Sequence, residues 1–224
     1  MDTLIMNDLS KRYGGSKGSV QAIISLGGSF QGGKLSVIQG QSGSGKSTLL
    51  LMLGGMINPS SGAVLFNGQD ITLMAAHEQR KYRSLNVGFV FQKFHLLPYL
   101  SVKENVLLPL SIGTRKKPAL SGRLPELARR FNMTHRLDHR PGELSVGEQQ
   151  RTALMRALIK DPTIILADEP TGNLDPENTT VVFEAMKAEA RNGRLVVMVT
   201  HNTSLTTMGD EAFLLENGRM TRIS

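Results

Sequence analysis

Short runs of Leu, Ile and Val recur along the first third of the chain, bounded by turn residues. Thr3–Leu9 and Leu35–Gln39 read as strands, with Gly14-Gly15 and Gly32-Gly33 as turns between elements. Ser36-Val37-Ile38-Gln39 runs directly into a Gly/Ser loop, Gly40–Gly45, and that loop opens a helical pattern over Lys46–Met56, stopped by Asn58-Pro59. Asn67-Gly68, between Ala63–Phe66 and Gln69–Ile71, is a hairpin-type turn, and Val87–Phe91 is a further strand. From about Lys93 to Lys160 the pattern becomes mainly helical and more basic, with breaks at Arg115-Lys116-Lys117-Pro118 and Pro141-Gly142. Thr163–Ala167 and Leu195–Val199 are continuous apolar runs, as parallel strands buried on both faces require, and Thr179–Arg191 between them reads as helix. Strand–helix–strand spacing of this kind predicts right-handed crossovers and a layered α/β sheet.

Composition narrows the class. The chain has 224 residues, 40% hydrophobic and 20% charged, which are globular proportions that exclude whole-chain disorder and collagen-like repeats. Its longest apolar run, around Leu49–Ile57, contains Gly54 and Gly55. That run falls short of the ~18 residues of a membrane span. Met1-Asp2-Thr3-Leu4 does not open like a secretory signal, and Cys is absent, which excludes a disulfide scaffold and Cys-based zinc sites. A cytoplasmic protein is the expectation. The net charge is +7, and most of it is local: Lys103, Arg115, Lys116, Lys117, Arg123, Arg129, Arg130, Arg136 and Arg140 face only Glu104, Glu126 and Asp138 in the same stretch. Such a patch serves a solvated surface, an anionic membrane face or an acidic partner. Nucleic acid is disfavoured, because Phe131 is the patch's one aromatic and stacking rings are not interleaved with the charges.

Two motifs carry chemistry on their own residues. Gly40-Gln41-Ser42-Gly43-Ser44-Gly45-Lys46-Ser47 fits G-x-x-x-x-G-K-[ST] in the strand–loop–helix context that the motif needs, with Thr48 following. Its glycines let successive N–H groups line one concavity at a helix N-terminus, which favours anions. Lys46 places a point charge on the β/γ-phosphates, and Ser47 offers a hydroxyl to Mg²⁺. The strand Thr163–Ala167 ends in Asp168-Glu169, at the edge where α/β sheets bind ligands. Asp168 is placed to hold hydrated Mg²⁺, and Glu169 to orient and deprotonate an attacking water.

A third motif is weak alone. Leu144-Ser145-Val146-Gly147-Glu148-Gln149-Gln150-Arg151 opens a helical run, with Ser145 as a candidate cap. Beside the other two it resembles the LSGGQ signature of ATP-binding cassette (ABC) ATPases. The resemblance runs from about Tyr13 to Arg219. It implies that Tyr13 stacks on adenine, that Gln92 senses the γ-phosphate, joins the Mg²⁺ site and faces a membrane partner, that Asn173-Leu174-Asp175 is the D-loop, and that His201 is the switch histidine. The segments Phe91–Pro98, Leu100–Leu110, His139–Ser145 and Asp168–Asp175 resemble the LolD/MacB group, which includes ATPases of lipoprotein release, macrolide or peptide exporters and FtsE-like regulators.

The implied fold is α/β: a P-loop NTPase of the ABC-ATPase kind, with a RecA-like core, an antiparallel β subdomain and a helical subdomain. Residues 1–92 and 161–224 would form the nucleotide-binding core and 93–160 the inserted helical signature subdomain. The implied cofactors are ATP and Mg²⁺. The implied partners are a second copy, paired head to tail so that Ser145, Gly147 and Glu148 of one chain close on the ATP of the other, and a separate transmembrane permease, leaving this chain peripheral on the cytoplasmic face of the inner membrane. An FtsE-like ATPase that drives a membrane partner without moving a substrate is the alternative. The signature departs from the pattern at Val146, where a β-branched residue demands ordinary backbone conformation, and at Glu148, which adds a negative charge; Asn202 follows the switch histidine where Asp is common.

Overall fold

The computed structural model describes residues 1–15, 18–112 and 121–223. The loop expected at Arg115-Lys116-Lys117-Pro118 lies outside the described residues. Strands β1 (Thr3–Gly15), β2 (Gly18–Gln31), β4 (Ser61–Phe66) and β5 (Gln69–Asp70) form an antiparallel sheet in the order β2-β1-β4-β5. A six-stranded sheet runs β10-β9-β3-β8-β7-β6, from β3 (Leu35–Gln39), β6 (Val87–Val90), β7 (Ile164–Asp168), β8 (Leu195–Thr200), β9 (Glu211–Glu216) and β10 (Arg219–Arg222). Only the β9–β10 edge is antiparallel; β9, β3, β8, β7 and β6 pair in parallel.

The apolar runs fall where burial on both faces demands. In β8, Leu195, Val197 and Val199 join one hydrophobic cluster, while Val196 and Met198 join the other. β7 divides the same way, with Ile164 and Leu166 against Ile165 and Ala167. One cluster fills the space between this sheet, the antiparallel sheet and α1 (Lys46–Leu53). The other takes in α3 (Val102–Ile112), α4 (Leu124–Arg130), α5 (Val146–Leu158) and α6 (Pro176–Arg191) on the opposite face. A helix α2 (Ala76–Asn86) and a short α7 (Thr203–Thr206) complete the described elements.

Several expectations shift. Gly14-Gly15 is not a turn, because β1 continues through both residues and pairs with β2 up to Gly15 opposite Gly18. The helix after the phosphate loop stops at Leu53, since Gly54 and then Gly55 at φ 62 end it before Asn58-Pro59. Asn67-Gly68 is the expected hairpin turn, both residues at positive φ (50 and 81).

The basic stretch is partly spent inside the protein. Arg123 pairs with Asp161 at 2.8 Å, Arg130 with Glu189, and Arg136 with Glu148 at 2.8 Å. No helix among the described residues is long and apolar enough to cross a membrane.

Candidate functional site

Neighbouring parallel strands deliver the site. Gln39, the last residue of β3, lies opposite Thr200 at the end of β8, and Asp168 at the end of β7 lies opposite Val199. β6 is next, with Val90 opposite Ala167. Gly40, His201 and Glu169 follow the first three ends directly and Gln92 comes two residues after β6, so pairing gathers the phosphate loop, the histidine, the carboxylates and the glutamine along one edge. A cavity of about 670 Å³ at this edge is lined by Gln41, Ser42, Gly43, Gly45, Lys46, Ser47, Thr48, Gln92, Glu169 and His201.

Within the loop, Gly45 caps α1 at φ 104, and a Cβ there would come within 2.4 Å of the Ala22 carbonyl oxygen. Only glycine fits both the conformation and the space. Lys46 is 7% exposed, and its ammonium donates to the carbonyls of Gly40 (2.7 Å) and Gln41 (2.9 Å). It also lies 3.6 Å from Glu169 Oε1. Glu169 Oε2 accepts from the His201 backbone N–H at 3.2 Å and sits 2.7 Å from His201 Nδ1. Glu169 adopts φ 47, a left-handed conformation that costs about 1–2 kcal/mol in a residue with a Cβ. Hydrogen bonds hold that conformation, since its N–H donates to Val199 and its carbonyl accepts from Gly172.

Burial pushes the Asp168 carboxyl above the ordinary carboxylate range, Ser47 opposes it by hydrogen bonding, Glu169 adds to it, and Lys46 opposes it. Asp168 Oδ1 is buried without a hydrogen-bond partner, and so is Ser44 Oγ. The Ser47 hydroxyl, hydrogen-bonded to Asp168, and the orphaned carboxylate oxygen of Asp168 fit a hard divalent cation whose remaining ligands would be phosphate oxygens and water. The Gln92 amide nitrogen lies 3.3 Å from where a Cβ on Gly172 would stand, which places it at the turn after Glu169. Tyr13 is 44% exposed, and its hydroxyl is 3.5 Å from Thr48 Oγ1, so the ring is tethered beside α1 at the cavity margin.

Ser145, Gly147 and Glu148 are not among the residues lining that cavity. Ser145 caps α5: its hydroxyl accepts from the Glu148 N–H at 3.3 Å, and its own N–H donates to Glu148 Oε2 at 2.8 Å. Arg136 pairs with the other carboxylate oxygen, so the extra negative charge is neutralised locally. The Glu148 carboxyl sits below the ordinary range: burial alone would raise it, and the Ser145 N–H, the Arg136 guanidinium and the Ser145 hydroxyl outweigh that. Val146 is the first residue of α5, is 46% exposed and is not among the positive-φ residues, so it fits its position. Asn202 caps α7 by accepting from the Ser204 N–H at 3.0 Å.

Two contacts of the site are invisible to motif reading. Arg136 is twelve residues before Glu148, and Asn178 meets α5 from α6. Neither has a sequence signal, because tertiary packing creates both.

A glycine-bent loop at a helix N-terminus, a lysine inside it, and paired carboxylates on the neighbouring strand define a P-loop nucleotide hydrolase with a RecA-like core. The sequence model of a family described as ABC transporter matches residues 25–172. The fold is similar to MJ0796, a bacterial ABC transporter cassette solved as a dimer, with TM-score 0.88 and 31% identity over 99% of both chains. It is equally similar, with the same figures, to that cassette in a dimeric post-hydrolysis state bound to ADP and Pi. The chain belongs to the ABC transporter family, and it is an ATP-binding and ATP-hydrolysing subunit of that family.

Proposed function

We propose that this chain is the motor of a membrane transport complex of the LolD/MacB type, in which ATP closes two copies head to tail and a separate permease follows the motion. The observation that carries the dimer is the split site. The phosphate loop, Gln92, Glu169 and His201 line one cavity, whereas the capped N-terminus of α5 with Ser145, Gly147 and Glu148 is not part of it. One chain leaves the far side of a bound γ-phosphate to water. A second copy's α5 N-terminus would replace that water with oriented N–H dipoles. MJ0796 being a dimer supports the same arrangement.

Each residue has a role in this reading. Gly40–Ser47, with Thr48, wrap the phosphates, and Tyr13 stacks on the base. An incoming γ-phosphate competes with Glu169 for Lys46 and His201, now 3.6 and 2.7 Å from its carboxylate. That competition frees the carboxylate to take a proton from water while His201 holds the phosphate. Ser47, Gln92 and Asp168 would hold Mg²⁺, which when bound neutralises charge developing on the phosphates.

The core is residues 1–92 and 161–224, and 93–160 is the helical signature subdomain. The permease docks beside Gln92, on the cytoplasmic face of the inner membrane. A cleft of about 330 Å³ lies there, lined by Met56, Arg80, Arg83, Phe89, Arg156 and Lys160 among others. Arg156 donates to the Phe94 and His95 carbonyls, which ties the cleft to the loop after Gln92. Apolar walls with cations and no lining carboxylate suit an acidic, amphipathic segment of the permease. The assignment to lipoprotein release or to macrolide or peptide export rests on the motif resemblance of Phe91–Pro98 and Leu100–Leu110.

Glu169→Gln tests the reading. It should bind Mg²⁺-ATP, lose steady-state hydrolysis and run as a dimer in light-scattering chromatography with ATP but not with ADP. Near-wild-type turnover would remove Glu169 as the base, and a strictly monomeric, ATP-saturated variant would remove the dimer.

A further inference from the structure

The second glycine of the signature is buried, yet it is not among the positive-φ residues. Backbone conformation therefore does not demand glycine at Gly147. Space does. A Cβ there would stand 2.3 Å from Asn178 Oδ1 and 2.5 Å from Asn178 Cγ. The Asn178 side chain thus lies directly against the start of α5.

Both ends of that amide are used. Its Oδ1 accepts from Arg151 Nη1 at 2.7 Å, on α5. Its Nδ2 donates to Asp175 Oδ2 at 2.7 Å, and its backbone N–H donates to Asp175 Oδ1 at 2.8 Å. A guanidinium only donates and a carboxylate only accepts, so the two partners fix which end of the amide faces which way. Aspartate at this position would set a second carboxylate against Asp175, and an apolar residue would lose both bonds.

We propose that Asn178 is a positioning residue for ATP hydrolysis: it locks the signature end of α5 (Ser145–Gly147, through Arg151) to the turn Asn173–Asp175, so that both segments meet the opposing nucleotide as one rigid body. This rests on the head-to-tail reading above and adds to it the side chain that sets the geometry of the closing surface. Asn178 itself touches no nucleotide. Its loss therefore acts on closure and turnover, and leaves the affinity of one chain's phosphate loop intact.

The experiment compares Asn178→Ala with the parent, both with Glu169 intact and in the Glu169→Gln background. A fluorescent ATP analogue titrated onto dilute protein should give the parent's dissociation constant. kcat should fall at least tenfold with KM within about twofold, and ATP-driven dimerisation of the Glu169→Gln form should need at least tenfold more protein. Parental kcat together with parental dimerisation overturns the proposal. If Glu169→Gln alone never dimerises, the pairing reading fails and this proposal with it; if Glu169→Gln dimerises and Asn178→Ala behaves as the parent, this proposal alone fails.

Because Asn178 also helps cap α6, a second variant separates folding from positioning. Arg151→Met removes the guanidinium that donates to Asn178 Oδ1 and leaves the contacts of Asn178 with Asp175 in place. Its melting temperature should stay close to the parent's while kcat falls several-fold, which supports the lock. Parental kcat in Arg151→Met overturns it.

Discussion

Glu189 is the most consequential buried charge. It is 2% exposed, lies near the end of α6, and receives Arg130 from α4 and Arg194 Nε, the latter at 2.5 Å. Asp161, just past α5, extends the network by pairing with Arg123 at 2.8 Å and Arg194 at 2.7 Å. Glu189→Ala leaves two guanidinium groups facing a carboxylate-sized hole. Breaking a buried pair from one side costs about 3–5 kcal/mol. The lower end applies, because Arg194 keeps Asp161 and the Pro162 carbonyl, and Arg130, with its side chain 33% exposed, turns to water. At roughly 2–4 °C per kcal/mol for a chain of this length, about 3 kcal/mol lowers the melting temperature by ~6–12 °C. Circular dichroism melts at pH 7 measure it, with Glu184→Ala, an exposed position on the same helix, as the reference. Glu189→Gln, which still accepts one hydrogen bond, should fall between. A Glu189→Ala melt within about 2 °C of Glu184→Ala would refute the claim that Glu189 is buried and paired.

Lys46→Ala should abolish nucleotide binding in equilibrium titration, since it removes the loop's only cation; unchanged ATP affinity would contradict the phosphate-cradle geometry. Lys160 is pushed down to about 8 by burial and then by Arg83, so the folded state holds its proton less tightly than the unfolded state. Its charging penalty is therefore full below pH 8 and relieved as pH rises from about 8 towards 10.5, so Lys160→Met should stabilise relative to wild type at pH 7 and lose that advantage near pH 10. A urea-denaturation difference that stays flat across that window counts against it. Arg136→Ala should uncover the Glu148 charge at the signature and lower kcat several-fold, and adding Glu148→Gln should restore it; failure of the pair to recover would show that Arg136 does more than neutralise.

Sequence pattern reached furthest where burial is complete and local. Leu35–Gln39 is read to its last residue, because Leu35, Val37 and Ile38 are wholly buried and the glycine loop that follows ends the run. β1 and β2 are longer than their apolar runs suggest. Register shifts between Met6 and Arg12, with Asp8 and Ser25 both at φ 46, break the period-two alternation that would have marked them. α2 has Tyr82 as its one buried residue and so shows no apolar face to read. The phosphate loop and the Asp168-Glu169 end are legible because their chemistry is carried by consecutive residues. Asn178, Arg136 and the Glu189 network are not, since each joins elements that the pattern cannot bring together.

The placement of the helical segment follows from combining these contacts. α3, α4 and α5 meet the core through a continuous apolar cluster that includes Val106, Leu127, Leu154, Val182 and Met198. Apolar contact is non-directional, so it resists separation far more than sliding. Directional contacts must then decide where the segment sits. The structure supplies them at separate points: Arg123 and Arg130 onto Asp161 and Glu189, Lys160 onto the Arg83 carbonyl beside the cleft, and Arg151 onto Asn178 at the signature. None of these groups lines the nucleotide cavity. If two copies close on ATP as proposed, substitutions among them should therefore change closure and turnover while leaving the phosphate cradle unchanged, because the cradle is fixed by strands buried on both faces and not by these contacts.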